Sequence, residues 1–143
     1  MADVRSALRQ AIVLLLKNDA TLKALFPSGV VNVSYRPTRQ PMTLPRITFF
    51  DFGDRADDIV PLWDRNYQFD AWDGDLDKCE AIGQRLIELL DHASLPMPGD
   101  EGFAARVHVV SDLDATQEDA DLARKTFRVR VLNYDFGKIY TTN

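Results

Sequence analysis

The sequence predicts an α+β fold, with a single antiparallel sheet of about five strands and two main helices packed on it. Two segments repeat apolar residues at helical spacing, and five others are rich in β-branched or aromatic residues or alternate apolar with polar ones. Proline, glycine and aspartate separate these segments. The predicted order is helix, three strands, helix and two strands.

The first helix is predicted to run from an N-cap at Asp3 to Lys17. Its stripe of apolar residues consists of Val4, Leu8, Ile12 and Leu15. Residues Ala11–Leu16 are apolar almost all round, so we expect cover on more than one side, from the sheet or from a neighbouring subunit. A short second helical turn is expected over Asp19–Phe26, ahead of Pro27.

Five strands are expected, at Val30–Tyr35, Arg46–Asp54, Leu62–Trp72, Ala105–Ser111 and Thr126–Tyr134. The second and third of these are joined by the short polar connection 55–61, which predicts a hairpin. Alternation along the third strand predicts two faces, with Tyr67, Phe69 and Ala71 opposite Gln68 and Asp70.

The second main helix is predicted over residues 76–91, after Asp73, Asp75 and Asp77, whose charges suit a helix N-terminus. Its expected buried stripe consists of Leu76, Cys79, Ile82, Leu86 and Leu89. Gly83 lies beside that stripe, where the lack of a side chain would let the helix approach the sheet closely.

The length of 143 residues fits one domain, expected over 1–143 with 137–143 as a flexible C-terminal tail. One cysteine allows no internal disulfide, and two histidines are too few for a histidine-rich metal site. The longest apolar run is far shorter than the about 20 residues of a membrane helix. The N-terminal segment lacks the pattern of a signal peptide. We therefore expect an intracellular protein without a membrane span.

Neither catalysis nor metal binding is predicted by the motifs of the chain. Aspartate clusters beginning at Asp73 and Asp112 lack the glycine and glutamate that a calcium-binding loop requires at its sixth and twelfth positions. Cys79 falls on an apolar helix stripe, where burial disfavours a thiolate. His92 and His108 are not accompanied by a convincing nucleophile. We expect no enzyme, no cofactor and no metal.

Charge is distributed unevenly along the chain. Residues 1–50 contain seven Lys or Arg and two Asp, whereas residues 51–143 contain ten Lys or Arg and twenty Asp or Glu. The pI near 4.9 argues against wrapping of nucleic acid, which requires a basic surface. A basic first third on an acidic remainder suits head-to-tail association, and it equally suits a hydrated surface.

Two groups of charged residues are candidate contact sites. The first is a subunit or partner interface at Arg36, Arg39, Arg46, Asp57 and Asp58, because arginine in a proline-bearing loop suits pairing with carboxylates of a neighbour. The second is an acidic loop with Asp112, Asp114, Glu118, Asp119 and Asp121. Solvated connections between strands would have the same composition, and that alternative stays open.

The order of elements resembles the tail completion family of tailed phages, also called tail terminator or head-to-tail joining proteins. The resemblance rests on the paired N-terminal helices, Tyr35 before a proline-bearing loop, Leu44–Phe49, Tyr67–Trp72 with its Asp-x-Trp ending, the helix 76–91 and the closing strands up to Tyr134. It spans nearly the whole chain. The acidic loop and the segment 137–143 depart from the family pattern.

This resemblance implies a structural virion protein that forms a hexameric ring on the head-proximal end of the tail tube, around the DNA channel. The implied partners are further copies of the chain, the tail tube protein and a head-connector or stopper protein. DNA would pass without specific binding, and no membrane is involved. The implied location is the head–tail junction of the virion, after assembly in the cytoplasm of the bacterial host.

Within such a ring, we expect the acidic loop to face the channel or the tube, while Arg36, Arg39 and Arg46 meet acidic groups of a neighbour. Two other functions stay open. One is a head-closure or neck connector protein of similar size. The more remote one is a small hydrolase or metal-dependent enzyme, which a titrating group of perturbed pKa or stabilisation by an ion would favour.

Overall fold

Three helices and seven strands make up the part of the chain that the computed structural model describes, residues 4–36, 43–56, 62–95 and 105–134. The elements are α1 Val4–Lys17, α2 Ala20–Ala24, β1 Val33–Tyr35, β2 Arg46–Ala56, β3 Leu62–Asp73, α3 Leu76–Leu90, β4 Ser94–Leu95, β5 Ala105–Asp112, β6 Thr116–Asp119 and β7 Leu122–Tyr134. Within those residues, no helix has the length and apolar character needed to cross a membrane.

The strands form one sheet in the order β1-β2-β3-β7-β5-β4, with β6 paired to β7. The α+β class is confirmed in outline, but a purely antiparallel sheet of about five strands is wrong. β1 pairs in parallel with β2, with Val33 opposite Ile47 and Tyr35 opposite Phe49. The two additional strands, β4 and β6, are too short for a pattern of alternation to identify them.

The predicted hairpin is present, because β2 pairs with β3 in antiparallel register from Arg46 opposite Trp72 to Ala56 opposite Trp63. A bulge interrupts the pairing between Asp51 and Gly53. Phe52 lies within that bulge, and 48% of it is exposed to solvent. Before the bulge, from Arg46 to Asp51, the alternation of the sequence assigns each side chain to a face of the sheet.

The predicted acidic loop is in fact the end of a long hairpin. Asp112, the last residue of β5, lies opposite Phe127, and Thr116, the first residue of β6, lies opposite Arg124. β5 and β6 therefore follow the same edge of β7, with a break at 113–115 and a turn at 120–121. The four residues of β6 are all exposed, so no apolar alternation marks this strand in the sequence.

The helices cover one face of the sheet, which we call the covered face. Its centre is a row of stacked phenylalanine rings from β2, β3 and β7, with centroids of Phe49 and Phe69 5.1 Å apart and those of Phe69 and Phe127 5.2 Å apart. α3 packs on this face through Cys79, Ile82, Gly83, Leu86 and Leu90.

The stripe predicted for α3 is wrong at its two ends. Leu76 is 38% exposed because it lies in the first turn, and Leu90 rather than Leu89 is fully buried. The N-terminal aspartates have the expected function, since Asp75 is the N-cap and accepts a hydrogen bond from the backbone N–H of Asp77.

In α1, the segment that is apolar almost all round is mainly core. Ala11, Ile12 and Leu16 are buried, whereas Leu14 points outward with 56% of it exposed. Asp19 caps α2 through a 2.8 Å hydrogen bond from the backbone N–H of Leu22. Arg85 of α3 binds the same carboxylate at 2.7 Å, so this ion pair joins α2 to α3.

Candidate assembly surfaces

The face of the sheet opposite the helices is polar and rich in arginine. We call it the open sheet face, and its alternating side chains come from β2, β3, β5 and β7. Its members include Arg46, Thr48, Phe52, Asp64, Gln68, Asp70, Trp72, Arg106, His108, Arg124, Thr126, Arg128 and Arg130. Cations outnumber anions there, although the whole chain has a formal net charge of −5.

Hydrogen bonds between side chains order the middle of the open sheet face. The indole N–H of Trp72 donates to Thr48 Oγ1 at 2.9 Å, and Asp70 accepts from the hydroxyl of Thr126 and from Gln68 Nε2. Thr48 is only 1% exposed and Asp70 only 4%, so their neighbours lie flat along the strands and cover them. The result is a polar layer with satisfied hydrogen bonds.

Arginine and aromatic side chains alternate on the surface of that layer. The guanidinium carbon of Arg124 lies 5.2 Å from the centroid of the Trp72 ring, and that of Arg128 lies 4.9 Å from the Phe52 ring. Arg128 Nε also donates to Gln68 Oε1 at 3.3 Å. Because arginine and aromatic residues are enriched at protein–protein interfaces, this composition is typical of a contact surface.

Two further arginines extend the cationic surface toward β5. Arg130 forms an ion pair with Asp64, with 2.7 Å between its Nη2 and the carboxylate Oδ2. The hydrogen bond that Arg130 donates to that carboxylate raises the pKa of Arg130. Arg106 is exposed and has no partner among the residues that the structure describes.

The residues predicted for the first interface group do not form one cluster. Arg46 lies on the open sheet face and donates from Nη2 to Ser34 Oγ at 3.0 Å. Arg36 lies at the end of β1 with a φ of 66°. Arg39, Asp57 and Asp58 lie outside the described residues.

Arg36 belongs to a second cationic cluster, centred on Tyr35. The guanidinium carbons of Arg9 and Arg36 lie 4.0 Å and 5.4 Å from the centroid of the Tyr35 ring, and the Tyr35 hydroxyl donates to Asp51. Burial alone would raise the pKa of Asp51, but that hydrogen bond and the two arginines lower it. The cluster therefore ties α1 to the edge of the sheet.

The interface residues predicted from the sequence do not include the arginines of β5 and β7. The signal available was the alternation of Arg128 and Arg130 with Val129 and Val131, which places both arginines on one face of a strand. Their position on the same face of the sheet as Arg46 depends on the strand order, which brings β7 next to β3 and is not encoded in any short segment.

The five acidic residues predicted as a loop have different environments. Glu118 forms an ion pair with Arg124 at 3.0 Å, and Asp112 forms one with Lys125. Asp119 accepts from the backbone N–H of Asp121 at 2.8 Å in the turn of the hairpin. Asp114, Asp119 and Asp121 are exposed, so this end of the hairpin presents negative charge to solvent.

Lys125 connects that hairpin to the covered face. Its side chain is 2% exposed, and its Nζ lies 3.3 Å from Glu80 Oε1 and donates to the carbonyl of Leu113 at 2.6 Å. Burial lowers the pKa of Lys125, but the carboxylates of Asp112 and Glu80 outweigh it and raise that pKa above its usual value. Lys125 thus donates a hydrogen bond to a backbone carbonyl in the segment 113–115, where the strand pairing is interrupted between β5 and β6.

A groove of about 500 Å³ lies on the helical side, where α1, α3 and β4 meet. Its lining is mostly apolar and includes Ala11, Leu14, Leu15, Leu89 and Leu95. Asn18, Asp19 and Ser94 supply polar atoms to it. The exposed Leu14 belongs to this groove, which accounts for the one residue of the apolar α1 segment that the core leaves uncovered.

Comparison with known proteins shows similarity to solved structures in fold alone. No family model and no curated protein matches the sequence. A chain from the virion of a native gene transfer agent (GTA) particle has the same fold, with a TM-score of 0.68 and 18% identity, over 94% of this chain and 100% of that chain. A second solved chain matches with a TM-score of 0.59 and 18% identity, over 91% of this chain and 96% of its own length.

Proposed function

We propose that this protein is a structural component of a tailed-phage-like particle. The observation that carries the proposal is the fold shared over 94% of the chain with a chain of a gene transfer agent virion. We further propose that it has no catalytic activity. Its one cysteine supports this, since burial raises the pKa of Cys79 to about 11 and keeps the thiol protonated at neutral pH.

More specifically, we propose a tail completion ring, with six copies on the head-proximal end of the tail tube. The order of elements, which resembles that of tail completion proteins, supports this role. A ring of acidic subunits would repel DNA phosphates and let the genome pass without adhering. The exposed acidic turn with Asp119 and Asp121 suits a position facing the channel or the tube.

Charge segregation suggests how copies would meet in the ring. The open sheet face is cationic, whereas the end of the β6–β7 hairpin is acidic. Contact between two different surfaces of identical subunits generates a closed ring when the rotation between them closes. We propose that the arginines of the open sheet face, including Arg46, meet acidic residues of the adjacent copy or of the tail tube protein.

Electron microscopy of particles from a strain that lacks this gene tests the proposed role. We expect DNA-filled heads beside unjoined or abnormally long tails. Heads that have lost their DNA would indicate a head-closure or neck protein instead. Normal infectious particles in the absence of the gene would overturn the assembly role altogether.

The predicted contribution of the proline-bearing loop needs a separate experiment. We expect the double variant Arg36→Glu and Arg39→Glu to reduce particle assembly while the isolated protein stays folded by circular dichroism. The matched control is Lys17→Glu with Lys23→Glu, which makes the same charge change at two exposed helix positions. Equal assembly by the two double variants would contradict the arginine role.

A further inference from the structure

The only two histidines of the chain lie beside each other at the end of α3. The ring centroids of His92 and His108 are 5.5 Å apart, and Asp91 Oδ2 lies 3.6 Å from His92 Nε2. One potential ligand atom from each of these three residues lies within 4.8 Å of the other two. We propose that Asp91, His92 and His108 form a binding site for a divalent transition metal of the Zn²⁺ class.

Backbone hydrogen bonds bring the three residues together. The pairing of β4 with β5 continues beyond β4 toward the C-terminal end of α3. The N–H of His92 donates to the carbonyl of Val107 at 2.9 Å, which places His92 across from His108 on β5. The left-handed φ of 63° at His92 turns the chain from α3 into this pairing. Such a conformation is uncommon for residues other than glycine, and histidine, asparagine and aspartate adopt it more often than the others do.

The carboxylate of Asp91 is oriented for ligation by the backbone. Its Oδ1 accepts a 3.0 Å hydrogen bond from the N–H of Val109, and its Oδ2 faces His92. A ligand whose second oxygen is held by a protein donor needs less reordering to bind a metal. One carboxylate oxygen of Asp91 is therefore held by the backbone, while the other is available to bind a metal ion.

The donor set suits Zn²⁺, and the separation of two of the ligand atoms is close to what a tetrahedral site requires. Imidazole nitrogen and carboxylate oxygen bind Zn²⁺ at about 2.0–2.2 Å, so tetrahedral ligands lie about 3.4 Å apart. The 3.6 Å between Asp91 Oδ2 and His92 Nε2 is close to that separation. The side chain of His92 is 78% exposed, so it can rotate to complete the geometry. Three protein ligands leave one position for water or for a group from another molecule.

Neighbouring charges limit the affinity rather than prevent binding. Arg130 lies opposite His108 in the register of β5 and β7, but its guanidinium is paired with Asp64. Arg106 lies two residues before His108 and is exposed. With one carboxylate among the ligands and two cations nearby, we expect weaker binding than at a site without neighbouring cations.

Thermal unfolding of the full chain with ZnCl₂ tests the site. We expect Zn²⁺ at one hundred times its dissociation constant to raise Tm by about 5–10 °C, because a ligand that binds only the folded state stabilises it. MgCl₂ is the control salt, since Mg²⁺ binds oxygen ligands and would report only the acidic surface. A Tm that rises equally with both salts, or with neither, would overturn the proposal.

Three variants identify the ligands while preserving the backbone. His92→Asn suits the left-handed conformation, His108→Gln stays in the strand, and Asp91→Asn keeps the oxygen that binds Val109 N–H. Each should remove most of the Zn²⁺-dependent rise in Tm. The matched control Asp114→Asn, an exposed carboxylate elsewhere, should retain it. An undiminished rise in the histidine variants would contradict the assignment.

Cobalt spectroscopy needs no variant and therefore covers the case in which a variant fails to fold. Co²⁺ in a four-coordinate site absorbs visible light much more strongly than Co²⁺ in water. We expect such a spectrum on addition of CoCl₂ to the wild-type protein, and its loss on addition of excess ZnCl₂. A spectrum identical to that of aqueous Co²⁺ would overturn the proposal.

Discussion

The two faces of the sheet differ although the same strands build both. In β7, Phe127, Val129 and Val131 are 0% exposed on the covered face, whereas Arg128 and Arg130 are exposed on the open sheet face. The first set removes apolar surface from water, which dominates folding free energy. The second set is held in ion pairs and hydrogen bonds that are weak in water and available to a partner. The buried apolar contacts that stabilise the fold therefore lie on the covered face, and the contact surface that we propose lies on the open sheet face.

The exceptions on each face are equally informative. The covered face contains the cation Lys125, whose charge is satisfied by two carboxylates and a carbonyl. The open sheet face contains two buried polar residues, Thr48 and Asp70, each hydrogen-bonded to a neighbour. On both faces, polar side chains can be buried because hydrogen bonds or ion pairs compensate for the loss of hydration.

The two faces should differ most in how much the free energy of unfolding falls when a phenylalanine is replaced by alanine. We expect Phe69→Ala to lower the free energy of unfolding by about 3–5 kcal/mol, because it removes the middle ring of the buried stack. The matched Phe52→Ala, at 48% exposure on the open sheet face, should cost below about 1 kcal/mol. Urea denaturation measures both, and comparable losses would remove the distinction between the faces.

A glycine on the covered face tests how closely α3 approaches the sheet. A Cβ at Gly83 would lie 2.2 Å from Lys125 Cγ, so we expect Gly83→Ala to destabilise by about 1–3 kcal/mol. Helix propensity alone predicts the opposite sign, with a gain of about 1 kcal/mol. Urea denaturation decides the sign.

The exposed position Ala81 provides the control for helix propensity, since Ala81→Gly should cost about 1 kcal/mol. The loss caused by Gly83→Ala should shrink in a Lys125→Ala background, where the contacting atoms beyond Cβ are absent. A stabilising Gly83→Ala would show that the helix and sheet separate easily at this point.

Two arginine–aspartate pairs of similar geometry sharpen the comparison further. Arg85 and Asp19 lie on the helical side with side chains 26% and 12% exposed, and Arg130 and Asp64 lie on the sheet side with 49% and 20% exposed. We expect Asp19→Asn to cost about 1 kcal/mol at pH 7 and Asp64→Asn to cost less, because water screens the more exposed pair. Chemical denaturation of the two variants measures the difference.

The effect at Asp19 should depend on pH. The hydrogen bond from Arg85 lowers the pKa of Asp19 below its ordinary 3.8, so folding favours its charged form. The stabilisation is therefore complete above the pKa of the unfolded chain and is lost as the pH falls through the lower folded value. A gap between wild type and Asp19→Asn that stays constant down to pH 2 would contradict this pairing.

The smallest expected effect on stability is at Arg128. We expect Arg128→Ala to change the free energy of unfolding by less than about 0.5 kcal/mol, because the side chain is exposed. The same variant should reduce particle assembly in a complementation assay, since its guanidinium lies over Phe52 on the proposed contact surface. Full assembly by Arg128→Ala together with Arg106→Ala would contradict a contact role for the open sheet face.

Much of the secondary structure could be predicted from local patterns. The periodicity of α1 and α3 located both helices to within a residue or two, and the alternation of Tyr67, Phe69 and Ala71 identified the buried face of β3. β6 could not be predicted in this way, because all four of its residues are exposed. Its strand conformation depends on pairing with β7. The candidate surfaces were predicted only in part, since Arg46 was singled out without its neighbours from β7.

By itself, the sequence determined the α+β class, the hairpin of β2 and β3, and the buried face of β3, because these depend on the local spacing of apolar side chains. The tertiary structure decided the parallel pairing of β1, the row of arginines on the open sheet face and the meeting of His92 with His108. Those features join residues that are distant in the chain. Strand order and register bring them together, and no local pattern specifies either.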